Sequence, residues 1–438
     1  MHNDLLLQNW WYTSLLQTET DECPPLMENI SCDVVVVGGG MAGLHATQQL
    51  AEGGKSVVLL ERNICGGSST GKSAGFLTPD SELELHQLIR RFGPEGGKKV
   101  WEMASRGIER IVSNIKTYQM NCDLQEQDSL FLGIGKSGLH AVREEAATRE
   151  KAGYASTVYE GGKLRSIINA KGYSAGIRYS GTYAINPLLY AQELKAVLLK
   201  KGVRVYESTT VTEILGHKAK THLGSVEAAS IILCIDKLKR GLSDIADKVY
   251  HAQTFLSVSE PLSREEVQEI YPEKPLLCWD SKLVYTYFRL TGDNRMLLGG
   301  GSALTTFTPN DITSPRVIDK VIEDFRHRFP FLKHHEFIQY WPGRIDTSRD
   351  LVPIVDTDPN RKHVQYVLGC VGLPWATFCG EYAARKILDP SLHSHDEYLR
   401  LDRPFFIPNW LQHLCGKMIA FSLNNGWSKY FQKDRQKS

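Results

Sequence analysis

Several features that would take a chain out of the ordinary globular class are missing from this sequence of 438 residues. The cysteines (23, 32, 65, 122, 234, 278, 370, 379 and 415) are odd in number and form no Cys-x-x-Cys pair. That pattern argues against a disulfide framework and against a structural zinc site; reduced thiols in a cytoplasmic protein fit it better, and no metal is expected. Charge of either sign is not in excess, with 51 Lys and Arg against 50 Asp and Glu, so no electrostatic argument points to nucleic acid as a partner. No apolar run approaches the roughly 20 residues of a membrane-spanning helix. Leu5-Leu6-Leu7, preceded by Asp4, is too short for a secretory leader. Internal repeats and low-complexity linkers are also lacking. With 42% hydrophobic and 23% charged residues the chain can bury large cores, and its length suits two domains.

Residues 33–61, DVVVVGGGMAGLHATQQLAEGGKSVVLLE, are the most informative stretch. An apolar strand runs into Gly38-Gly39-Gly40-Met41-Ala42-Gly43, a helical stretch follows, a second apolar strand comes next, and Glu61 closes the unit. This is the pattern of a dinucleotide-binding βαβ unit. Gly38 permits a tight turn off the strand, Gly40 lets the backbone approach a pyrophosphate, and Gly43 allows close helix-to-strand packing. The helix N-terminus at Met41 and Ala42 offers amides and partial positive charge to phosphates. Glu61 stands where a carboxylate accepts hydrogen bonds from ribose hydroxyls, and it disfavours a 2′-phosphate.

Three further segments decide between FAD and NAD. The first, RNICGGSSTGKSAGFL, follows Glu61 and includes Arg62, Ser69, Thr70, Gly71, Lys72 and Gly75. The second, residues 285–301, reads as a β-hairpin, with β-formers flanking Gly292-Asp293-Asn294. The third joins Trp341-Pro342-Gly343-Arg344 to Gly369-Cys370-Val371-Gly372-Leu373-Pro374 and a final helix. Together they resemble the D-amino-acid-oxidase-like superfamily of FAD enzymes, in pattern nearest the gamma-glutamylputrescine oxidase and glycine oxidase groups. The resemblance runs over nearly the whole chain.

It implies an α/β fold, with a Rossmann-like FAD-binding domain interleaved with an α+β substrate domain built on an antiparallel sheet. It implies that the loop from Ser69 to Gly75 passes the FAD pyrophosphate and ends beside the flavin, and that backbone near Val211 grips the adenine. Gly343, Gly369, Gly372, Leu373 and Pro374 would lie near the ring, the last helix aiming its positive end at the charge the reduced ring gathers. Tyr285 and Tyr287 would line the substrate site. Arg344 would either clamp a substrate carboxylate by a two-pronged hydrogen bond or pair with Asp346 or Asp350. The implied activity is oxidation of a C–N bond in an amine or amino acid by hydride transfer to flavin N5. Imine hydrolysis and reoxidation by O2 to H2O2 would follow; the alternative is a dehydrogenase passing electrons to a quinone or protein. No dedicated acid–base residue is required.

The implied layout is an extended N-terminal arm over residues 1–31 and an FAD-binding domain over 32–95, 181–249 and 336–395. The substrate domain would take residues 96–180 and 250–335, and residues 396–438 would form a helical tail. Pro94 opens a helix to about Tyr118, Asn186-Pro187 opens another to about Lys201, and Ile231 to Ile235 reads as a buried strand. The tail, rich in aromatics and Lys/Arg, reads as an amphipathic helix docked on the protein's own surface, with an interfacial membrane contact as the other reading.

Overall fold

A computed structural model describes residues 5–403 apart from 21, 81, 237, 239–241, 244, 246–248 and 303–311, together with residue 423. The tail beyond residue 403 therefore lies outside the described residues except at that one position, as does the question of its membrane contact.

The chain forms two large sheets. The first has eight strands and is parallel at its centre: Arg204–Tyr206, Val57–Leu60, Asn29–Val37 and Ser225–Leu233 lie side by side, and Val364–Leu368 pairs with Ser225–Leu233 beyond them. Val34 to Val37 and Val57 to Leu60 are buried without alternation because helices or further chain cover both faces of such a sheet. Helix Leu373–Leu388 packs on helices Met41–Glu52 and Leu85–Tyr118. The crossing with Met41–Glu52 is close, since a Cβ on Gly380 would overlap the Ala42 carbonyl. The helix expected from Pro94 is the second half of Leu85–Tyr118, which breaks at Gly93 (φ 76°) so that Pro94 restarts it. Asn186 caps Pro187–Lys200, its Oδ1 accepting from the amides of Leu188 and Leu189 at 3.1 Å.

The second sheet has nine strands and is mostly antiparallel, in the order Leu6–Leu7, Phe337–Ser348, Val249–Pro261, Arg295–Gly300, Tyr287–Leu290, Leu276–Asp280, Asp128–Gly133, Ala175–Tyr179, Thr157–Glu160. The hairpin read around Gly292-Asp293-Asn294 is its middle: Tyr287–Leu290 pairs with Arg295–Gly300, and Asn294 takes the left-handed conformation (φ 59°) that closes the turn. Helix Arg316–Arg328 covers one face, where Phe325 meets Phe288 edge to face at 5.5 Å; such a pair adds about 0.5–1.5 kcal/mol to its area burial.

Two boundaries differ from the sequence expectation. Residues 336–348, expected with the dinucleotide-binding part, belong to the nine-stranded sheet, because Phe337–Ser348 pairs along its length with Val249–Pro261. The arm is not simply extended: Trp10–Leu15 is helical, started by the Asn9 side chain accepting from Trp11 N at 3.0 Å, and Leu6–Leu7 joins the edge of the sheet. Both outcomes depend on partners far away in sequence, which local pattern does not carry.

Candidate active site

Gly38 leaves the first strand at φ +105°, with its Cβ position occupied by the Cys234 carbonyl, so no other residue fits there. A Cβ on Gly43 would likewise overlap the Gly38 carbonyl, which is how the helix comes this close to the strand. At Gly40 the space is open except for Thr70 Oγ1. The first turn of Met41–Glu52 holds no acidic side chain, so its positive end is not neutralised from within; Met41 N donates to Thr70 Oγ1 at 3.1 Å. Glu61 is 6% exposed, and its two oxygens accept from Gly39 N at 2.7 Å and Asn63 N at 2.9 Å. Burial pushes its carboxyl up, opposed by those two amides. Each oxygen keeps acceptor capacity for a further donor. The cradle therefore fits the adenosine-diphosphate half of a dinucleotide.

The loop after Glu61 is held by residues distant in sequence. Its turn of 3-10 helix, Thr70–Lys72, is braced by the arm: Asn9 Nδ2 donates to Gly71 O at 2.6 Å, Trp11 Nε1 to Ser73 O at 2.8 Å and Tyr12 OH to Gly67 O at 2.9 Å. From the nine-stranded sheet, Trp341 Nε1 donates to Lys72 O at 3.2 Å, and Ser69 Oγ donates to Arg344 O at 2.8 Å. Arg289 is fully buried and donates to Ala74 O at 2.7 Å, Ile185 O at 2.8 Å and Leu290 O at 2.9 Å, tying the loop's end to both neighbouring segments. Burial lowers its guanidinium to about 10, still charged at neutral pH. Arg62 reaches Ser68 Oγ at 3.3 Å on the exposed side.

Loop and sheets enclose one cavity. Its lining includes the loop (Ser69 and Lys72 to Gly75), Gly343, Ile345, Gly372 and Leu373. It also includes Asp80, Glu84, Phe131, Trp279, Asp280, Tyr285 and Tyr287. Gly372 (φ 92°) precedes helix Leu373–Leu388, Pro374 sits in that helix's first turn, and no acidic side chain stands there either, so its positive end faces the cavity. Tyr285 OH donates to Glu82 Oε1 at 2.9 Å. Burial raises both phenols, Tyr287 to about 12, so both remain protonated and neither is a base near neutral pH.

Of the residues singled out in the sequence, Ser69, Lys72, Gly75, Tyr285, Tyr287, Gly343, Gly372 and Leu373 line this cavity; the cradle residues with Arg62, and Thr70, Gly71, Val211, Arg344, Gly369 and Pro374, do not. Val211 begins strand Val211–Leu215 and is buried in the apolar cluster with Val35, Val37 and Val58. Gly369 (φ 64°) turns the chain from Val364–Leu368 toward Gly372. Arg344 alternates with Gly343 and Ile345, which do line it, so a strand's period of two sends its side chain to the other face. Of the carboxylates considered for it, Asp346 meets His251 Nδ1 at 2.6 Å, and Asp350 pairs with Arg403 at 2.9 Å and with Arg91. Sequence reasoning missed Arg289, the arm's Asn9, Trp11 and Tyr12, and the acidic wall. An arginine in the apolar first strand of a hairpin was the one available signal. Among the described residues no group of three or more His, Cys, Asp or Glu is arranged to hold a metal ion.

A glycine-set nucleotide cradle on a parallel sheet, opening into a cavity roofed by a second, antiparallel sheet, defines a dinucleotide-dependent oxidoreductase. The profile of the FAD dependent oxidoreductase (DAO) family matches residues 33–386, and the chain belongs to that family. Its cofactor is accordingly FAD. The chain is 25% identical over 422 residues to a probable oxidoreductase, OrdL, of Haemophilus influenzae, covering 94% of both chains. It is 29% identical over 338 residues to gamma-glutamylputrescine oxidoreductase of Escherichia coli, covering 75% of this chain and 77% of that one. Among solved structures, glycine oxidase from Geobacillus kaustophilus superposes with a TM-score of 0.74 at 16% identity, covering 86% of this chain and 99% of that one. No described helix is long and apolar enough to cross a membrane.

Proposed function

We propose that the protein oxidises the C–N bond of an amine or amino acid in the cavity between the two sheets, and that O2 accepts the electrons. The observation carrying this reading is that segments 69–75, 285–287, 343–345 and 371–373, far apart in sequence, line one cavity beside the nucleotide cradle. Bound FAD would supply the two-electron acceptor, taking hydride from the carbon beside the nitrogen and passing the electrons to O2 to give H2O2.

The chain's own residues do the rest. Gly38, Gly40, Met41, Ala42 and Gly43 receive the pyrophosphate, Glu61 the ribose, and backbone near Val211 the adenine. Ser69 to Gly75, fixed by Arg289 and Trp11, would hold the ring together with Gly343. The helix end at Gly372, Leu373 and Pro374 favours negative charge at the ring. Tyr285 and Tyr287, fixed as hydrogen-bond donors, orient the substrate carbon and keep water from it. The substrate loses its hydride as a neutral amine, and the resulting imine hydrolyses.

The test is a peroxide-coupled screen of amines and amino acids on FAD-loaded protein. Peroxide formed with at least one class is the expected result. Reduction of the flavin by substrate without peroxide would replace the oxidase by a dehydrogenase using a quinone or protein acceptor; an unreduced flavin throughout would overturn the substrate class.

A further inference from the structure

We propose that the substrate carries a second positive charge, received by Asp80, Glu84 and Asp280 in the lining of the cavity that the flavin-proximal loop also lines; this rests on the amine-oxidising reading above. These three carboxylates are 7%, 8% and 2% exposed, yet Oε2 of Glu84 and Oδ2 of Asp280 accept no hydrogen bond, and Asp80 has only the hydroxyls of Tyr179 and Thr78 beside it, neither in good hydrogen-bond geometry. Buried carboxylate oxygens without donors are rare in a native fold, and a cluster of them on a cavity wall points to a donor that arrives with a ligand. The remaining oxygens are fixed: Glu84 Oε1 accepts from Trp279 Nε1 at 2.9 Å, and Asp280 Oδ1 from the amides of Lys282 and Thr286 at 3.1 and 3.2 Å. The wall is therefore rigid, and its open acceptors are pre-positioned.

The local cations do not neutralise it. Arg149 stands beside Asp80 with Tyr179, but its Nε is committed to Glu145 at 2.7 Å, and His86 Nδ1 bonds the same Glu145 at 2.8 Å. Even with His86 charged, Arg149 and His86 face three carboxylates, Asp80, Glu84 and Glu145. Lys282 lines the cavity beside Asp280 and shares its charge with Asp324 at 3.3 Å; with Lys72 it makes two lysines against the four carboxylates Asp80, Glu82, Glu84 and Asp280 in the lining. Burial, with no cation to offset it fully, pushes Asp80 to about 6 and Glu84 well above the usual carboxylate range. Phe131, Trp279 and Tyr285 supply aromatic faces around the acids, the surroundings that suit an alkylammonium.

An α,ω-diamine meets these demands: one amino group, unprotonated, is presented for oxidation while the other, as ammonium, donates to the acidic wall. The test uses FAD-loaded enzyme under anaerobic conditions and α,ω-diamines of three to six carbons. Each is compared with the monoamine and the ω-amino acid of equal length. Dissociation constants come from the perturbation of flavin absorbance, and reduction rates from its bleaching. At the best length the diamine should bind about tenfold more tightly than the monoamine, with the ω-amino acid weakest. Asp80→Asn and Glu84→Gln, checked for full FAD content, should each erase most of that preference. Equal or tighter binding of monoamine or ω-amino acid at every length, or no binding of any diamine, would overturn the proposal. A diamine preference in binding without flavin reduction by any compound would uphold the charged wall and defeat the amine-oxidation reading instead.

Discussion

The nucleotide cradle and the acidic wall of the cavity are both buried, yet they are built in opposite ways. In the cradle every polar group shown has its partner: Glu61 takes two amides, Thr70 takes one, and Gly38 and Gly43 leave room only for backbone. The wall leaves carboxylate oxygens without donors and all three carboxyls displaced upward. The first region is optimised for its own folded state and one invariant ligand. The second carries an electrostatic penalty in the empty protein, which binding would relieve.

The largest effect should come from filling the cradle. Gly43→Leu places a side chain on the Gly38 carbonyl, and the expected outcome is protein with little or no FAD, read from the flavin-to-protein absorbance ratio; normal loading would break the account of the cradle. Next is Arg289→Met, which removes three charge-assisted hydrogen bonds and leaves buried carbonyls unpaired; a loss of about 3 kcal/mol or more is expected in denaturant unfolding.

Asp80→Asn should act in the opposite direction. The folded carboxyl holds its proton more tightly than the unfolded one, about 6 against 3.8, so the native state is favoured below pH about 4 and loses that advantage as pH rises through about 6. The variant is therefore expected to be more stable than the parent at pH about 7, by no more than about 3 kcal/mol, with the gap closing below pH about 4. A variant less stable at both pH values would show that Asp80 is paired like Glu61 and dissolve the contrast. Smallest is Arg344→Ala, which should leave KM for the best substrate unchanged, since Arg344 does not line the cavity.

The same contrast explains what could be read from sequence. The cradle is contiguous: strand, glycines, helix and Glu61 fall within residues 33–61, and Gly43 has a local steric reason in the Gly38 carbonyl. The cap at Asn186 and the turn at Asn294 were legible for similar reasons, being side-chain and backbone preferences of single residues. The wall is not contiguous. Glu84 meets Trp279 across 195 residues, Arg289 reaches Ala74 across 215, and Phe337–Ser348 finds its sheet only through Val249–Pro261. Arg344 shows the same limit from the other side: the motif is in the chain, and which face its side chain takes follows from the strand's pairing.

The central claim is that the separated segments meet on one bound FAD. Hydrogen exchange of apoprotein against FAD-loaded protein tests it most directly. The account predicts added protection at residues 38–43, at 69–75 and at 369–374 together. Protection confined to residues 33–61 would contradict it.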